Sequence, residues 1–147
     1  MTEIKWYRQD EMLAERVDWD NIKPMDRCAG GHDLQMKGLL KNSRVLAHWN
    51  EGDYQGSVAT IVVLKDTGEC VYYDDYYGSC SGCDAWEDAD DKSALSMCKN
   101  IAANAYIFKD FQTLVEWLKH MIEDKPEEYK RIPYKELLEE VWKEVIE

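Results

Sequence analysis

With 147 residues, 45% of them apolar and including six Trp and nine Tyr, the chain is long enough for one core and too apolar to stay disordered despite a formal net charge of −12. Phosphate backbones and anionic membranes repel that charge, so direct nucleic-acid binding and a membrane-surface role are disfavoured. The charge is uneven: residues 1–50 hold eight acids and eight bases, 51–100 eleven and three, and 101–147 eleven and seven.

In chain order, Arg8 to Val17 reads as a short helix flanked by Trp6, Tyr7 and Trp19. Pro24 and Cys28-Ala-Gly-Gly-His32 break regular structure, and Leu34 to Leu40 reads as one or two helical turns stopped around Asn42. Val45 to Trp49 is a strand, and Glu51-Gly-Asp-Tyr-Gln-Gly56 a turn. The clearest hairpin follows: Ser57 to Leu64 is rich in β-branched residues, Gly68 can take positive φ in the loop, and Cys70 to Tyr77 returns as a second strand. Alternation puts Tyr72, Asp74 and Tyr76 on one face of it and Val71, Tyr73, Asp75 and Tyr77 on the other. An acid on each face means that the strand leaves the core near its end.

Ser93 to Ala103 then reads as a helix and Ala105 to Phe108 as a short strand. Asp110 caps a helix carrying Phe111, Leu114, Val115, Leu118 and Ile122 at helical spacing. Pro126 ends it. Pro133 opens a last helix with Leu137, Leu138, Val141, Trp142 and Val145 as its stripe. The expected fold is a single α+β domain over residues 1–147, with a small antiparallel sheet of three or four strands packed by helices from both ends of the chain.

No stretch has the length and continuity of a membrane span: the longest apolar run, Val58 to Leu64, is interrupted by Thr60. The first ten residues lack the apolar segment of an export leader, and five cysteines cannot all pair, so reduced thiols and a cytoplasmic location are expected.

Between Asp66 and Asp91 lie nine carboxylates and no Lys or Arg. Such a run opposes compaction, which calls for a reason beyond solubility. Carboxylate-metal catalysis normally adds a Lys or His, absent here between Lys65 and Lys92, and Asp84 to Asp91 lacks the mid-loop Gly and terminal Glu of an EF-hand. A solvated acidic loop is the plain alternative. No phosphate-binding glycine loop is present, and no Ser or Cys has a visible base partner. Nothing in the sequence spells out a reaction.

The Cys80-x-x-Cys83 pair admits several readings. Redox catalysis needs a stabilised thiolate, and the surrounding acids oppose one. A zinc site needs four ligands, which Cys28 and His32 would complete with Cys80 and Cys83 as a Cys3His set. A disulfide is disfavoured in a reducing compartment. The simplest account is a tight turn shaped by small residues.

Gly52-Asp-Tyr-Gln-Gly56, the hairpin, and Asp75-Tyr-Tyr-Gly-Ser-Cys-Ser-Gly-Cys-Asp84 together resemble a pattern in uncharacterised small bacterial and phage proteins, over at most residues 45–110. The resemblance implies a bacterial or phage setting and transfers no catalytic residue. In overall character the chain is similar to phage-encoded inhibitors of nucleic-acid enzymes, of the anti-CRISPR and anti-restriction type. The leading expectation is a non-enzymatic inhibitor or adaptor that sets Asp74, Asp75, Tyr76, Tyr77, Asp84, Glu87, Asp88, Asp90 and Asp91 against the basic nucleic-acid groove of a protein partner, with carboxylates in phosphate positions. The alternative is a zinc-stabilised or metal-dependent module. A third reading is oligomerisation through the aromatic surface.

Overall fold

A computed structural model describes residues 6–22, 36–52, 56–77, 90–124 and 132–146. Four strands form one antiparallel meander: β1 (Ser43–Asn50), β2 (Gly56–Leu64), β3 (Cys70–Tyr77) and β4 (Tyr106–Phe108), in the spatial order β1-β2-β3-β4. Helix α1 (Asp91–Ala103) precedes β4, and α2 (Phe111–Asp124) and α3 (Tyr134–Ile146) follow it. The α+β expectation holds.

The period-two alternation of the strands splits the core in two. Val58, Val62, Leu64, Val71 and Tyr73 face α1, the Glu11–Arg16 helix and the segment Met36, Leu39 and Leu40. Ala59, Ile61, Cys70, Tyr72 and Phe108 face α2 and α3 through Leu114, Trp117, Leu118, Leu137 and Val141. A bulge between Val45 and Ala47 lets Leu46 and Ala47 both turn toward the second cluster. Central β2 is covered on both faces, which is why it reads as a nearly unbroken apolar run.

Local chemistry sets the element ends. Gly68 takes φ +80° in the β2–β3 loop, as expected for its sequence. The Asp90 side chain accepts from the Ser93 N–H at 2.8 Å to cap α1, and that of Asp110 accepts from the N–H and hydroxyl of Thr113 at 2.8 and 2.7 Å to cap α2. These bonds hold the Asp110 carboxyl below its usual range. Pro133 precedes α3.

The N-terminal region departs from its expected helix. Arg8 is paired instead with Ile107, exchanging two backbone hydrogen bonds of 2.9 Å, and the helix is one 3-10 segment, Glu11–Arg16, capped by Asp10. Only Leu13 within it is buried, so too narrow an apolar stripe exists to hold a longer α-helix against the sheet. Residues 36 and 37 are helical, ahead of Leu40, which bridges to Val17.

Both lateral edges of the sheet are partly covered. The Arg8 pairing lies along β4. Along β1, the Glu140 carboxylate on α3 accepts from the His48 backbone N–H at 3.1 Å, and Arg44 pairs with Glu144 at 2.9 Å.

Candidate functional site

Strand β4 meets only Cys70, Val71 and Tyr72 of β3, so β3 runs on past it from Tyr73 to Tyr77. This mismatch in length opens a notch of about 410 Å³, lined by Tyr72–Asp75 of β3, Tyr106 at the start of β4, Asn100, Ile101 and Asn104 at the end of α1, and Gln9 beside the Arg8 bridge.

The carboxylate in the notch is positioned by a tyrosine from the core. Tyr72 is 3% exposed and its hydroxyl donates to Asp74 Oδ2 at 2.7 Å, while Asp74 itself is exposed. Around Tyr72 pack Trp117, Tyr106 and Tyr134 at ring-centroid distances of 5.1, 5.8 and 6.5 Å, and Tyr7 stacks on Tyr106 at 3.8 Å. Offset and edge-on packing of this kind adds to simple burial. Burial, reinforced by the Asp74 charge, pushes the Tyr72 phenol well above its usual range. Burial and the neighbouring Tyr7 hydroxyl push Tyr106 up to about 12. Burial and Asp74 likewise raise Tyr134. These phenols stay protonated at neutral pH, as donors rather than anions.

The three amides of the notch are linked in a chain of hydrogen bonds. Gln9 Nε2 donates to the Asn104 carbonyl at 2.9 Å, and Asn104 Nδ2 donates to the Asn100 carbonyl at 2.8 Å and to Asn100 Oδ1 at 3.2 Å. A backbone carbonyl can only accept, so these contacts fix which end of the Gln9 and Asn104 amides is nitrogen. Gln9 and Asn104 thereby each use a donor within the protein, while Asn100 accepts through Oδ1.

Of the residues expected to bind a partner, Asp74 and Asp75 line the notch and Tyr76 next to them is 40% exposed. Tyr77 closes β3. Asp90 and Asp91 lie elsewhere, at the opposite end of α1 from Asn100 and Asn104, separated from Asn100 by about 14 Å of helix axis at ~1.5 Å per residue. Asp90 also carries a structural duty as the α1 cap. Asp84, Glu87 and Asp88 are outside the described residues, as are all four proposed zinc ligands, Cys28, His32, Cys80 and Cys83. Among the described residues no group of three or more His, Cys, Asp or Glu side chains is placed to hold a metal ion.

Cys70 and Cys98 are buried thiols. Burial, with a smaller contribution from Asp110, pushes the Cys70 thiol up to about 11, which makes it a packing residue rather than a nucleophile. His48 Nδ1 lies 2.8 Å from the Thr60 hydroxyl. Sequence reading missed Trp117, Gln9, Asn100 and Asn104. The tryptophan falls within a recognisable helical pattern, whereas the three amides meet only through the fold. No helix among the described residues is long and apolar enough to cross a membrane. No family model, curated protein or solved structure matches this chain.

Proposed function

We propose that this protein is a non-enzymatic, acidic binding module, an inhibitor or adaptor of the anti-defence type, that engages the basic nucleic-acid-binding surface of a protein partner. The observation that carries this reading is Asp74: an exposed carboxylate held on the sheet by a buried tyrosine, with Asp75 and half-exposed Tyr76 next to it. A carboxylate held in place before binding loses little freedom when it meets a Lys or Arg, and an exposed tyrosine next to it supplies rigid contact area. No Lys or Arg lies between Asp66 and Asp91 in the sequence, and the two arginines that reach the start of the run, Arg16 at Asp66 and Arg8 at Glu69, come from the N-terminal segment. Complementary charge of this kind speeds association and disfavours partners of the wrong sign.

The test is affinity capture from a bacterial lysate, against an equally acidic control protein and with competing DNA. The expected result is a nucleic-acid enzyme that competing DNA and rising salt displace, and whose capture weakens when Asp74, Asp75 and Asp91 are changed together to Asn. Asp90 is left intact in that variant because its loss would uncap α1. Capture that ignores both salt and the triple substitution overturns the reading.

A further inference from the structure

We infer that Trp6–Gln9 is a detachable strap, seated in cis on a groove along β4 that takes an extended segment of a protein partner carrying an aromatic residue followed by arginine. The two sides of β4 are held unequally. On its inner side it pairs with Cys70, Val71 and Tyr72 of β3, whereas on its outer side it meets the strap at one bridge, Arg8 to Ile107. No residue from Trp6 to Met12 is buried, and the first to enter the core is Leu13. The side-chain bonds that accompany the bridge, Arg8 to Glu69 and Gln9 to the Asn104 carbonyl, both lie at the surface. The strap is also loosely seated: a cavity of about 470 Å³ is lined by its Trp6, Tyr7 and Arg8 and by Thr113 and Glu116 of α2. A segment with little buried area and exposed hydrogen bonds belongs to the part of a protein that opens first, ahead of the sheet it covers.

The strap itself shows what the groove accepts. Its backbone exchanges two hydrogen bonds of 2.9 Å with Ile107, its Tyr7 ring stacks on Tyr106 at 3.8 Å and meets Trp117 edge-on at 6.4 Å, and its Arg8 guanidinium reaches Glu69 Oε2 at 2.9 Å. Release of the strap therefore uncovers the N–H and C=O of Ile107, the face of Tyr106 and the Glu69 carboxylate together. These are the elements of strand addition, in which main-chain bonds give affinity and side-chain positions give selection. An incoming segment competes with a tethered copy of its own chemistry, present at roughly millimolar effective concentration. The strap thus sets a threshold that a segment passes only by bringing further contacts. The inference stands on β4 and its strap, and does not rest on the partner proposed above.

The first test is amide hydrogen exchange on the full chain. Because Ile107 gives both of its main-chain groups to Arg8, strand alternation turns the N–H groups of Tyr106 and Phe108 toward β3. Neighbouring amides of one strand thus report on its two sides. Ile107 should exchange at least about a hundredfold faster than Phe108. Equal rates mean that strap and sheet open as one unit, and overturn the inference. The second test adds the strap sequence Trp-Tyr-Arg-Gln-Asp, blocked at both ends, to the full chain and to its Arg8→Pro variant, which lacks the N–H that the Ile107 carbonyl accepts. Saturable chemical-shift changes at Tyr106 and Ile107 are expected, with binding at least about tenfold tighter in the variant. The same peptide with Tyr7→Ala should leave these signals in place. Failure of the peptide to bind the variant, or equal binding of the alanine peptide, overturns the groove. Dimerisation of the full chain with rising concentration, reversed by the peptide, overturns the protein partner in favour of a second copy.

Discussion

Tyr72 and Tyr73 are neighbours on β3 and point to opposite faces of the sheet, and their hydroxyls meet different fates. Tyr73 is 2% exposed and donates to the backbone carbonyl of Met36, tying β3 to the segment ahead of β1, with the Thr60 hydroxyl close by. Tyr72, nearly as buried, donates to a carboxylate that water reaches. One face of the sheet thus uses its phenol to close a polar account inside the core, and the other uses it to aim a charge outward. The surroundings follow suit: aliphatic side chains dominate around Tyr73, and aromatic rings around Tyr72. Similar burial therefore does not imply similar cost when the hydroxyl is removed.

The largest effect that would sharpen this contrast lies in the aromatic cluster itself. Trp117→Ala should lose about 3–5 kcal/mol of stability in urea unfolding, because the indole touches Tyr72, Tyr106, Phe108 and Tyr134 and the rings cannot collapse into the space it leaves. Next comes Tyr73→Phe, at about 1–3 kcal/mol, since the Met36 carbonyl is left without its donor inside a dry core. Tyr72→Phe should cost less, at most about 1 kcal/mol, because water can replace the lost donor at exposed Asp74. Equal losses for the two tyrosines would break the comparison.

The smallest effect is in pH. Cys70, Tyr72, Tyr73, Tyr106 and Tyr134 all have folded-state pKa values raised by burial above their usual ones. The folded protein therefore holds protons that the unfolded chain releases. The stability these groups contribute is intact below pH 9.0, where the first of them begins to ionise in the unfolded chain, and is lost as pH rises toward about 11 for Cys70 and about 12 for Tyr106. Cys70→Ala, assayed by thermal melting across that range, should remove the early part of the decline and shift the alkaline midpoint by a fraction of a pH unit. A midpoint that does not move would show that the thiol ionises freely in the folded protein.

Much of the fold was legible because its signals are local. β-branched residues marked β2, Gly68 marked the turn, Asp110 and Pro133 marked helix starts, and alternation on β3 correctly divided Tyr72 from Tyr73. The pairing of Arg8 with Ile107 was not legible, since nothing near Arg8 announces a partner 99 residues away. The notch was hidden for the same reason. It arises from the difference between an eight-residue β3 and a three-residue β4, and its amides come from segments that meet only after the sheet and α1 have packed. Asp74 and Asp75 were identified from charge alone, and their position in a concave notch beside Asn100, Asn104 and Gln9 adds what composition could not. Asp90 shows the converse, an acid that reads as binding surface and serves as a helix cap.

The contact between Glu140 and the backbone of His48 also bears on how the molecule is made. A ribosome delivers β1 to β4 well before α3, and the residues that cover the outer flank of β1 belong to that last helix. Until it emerges, the nascent sheet offers an open ladder to any neighbouring chain on the same message. The timing of translation past residue 134 thus sets how long that hazard lasts, and because Leu137 and Val141 also complete the core beneath β2 and β3, the same helix both covers the edge and finishes the packing.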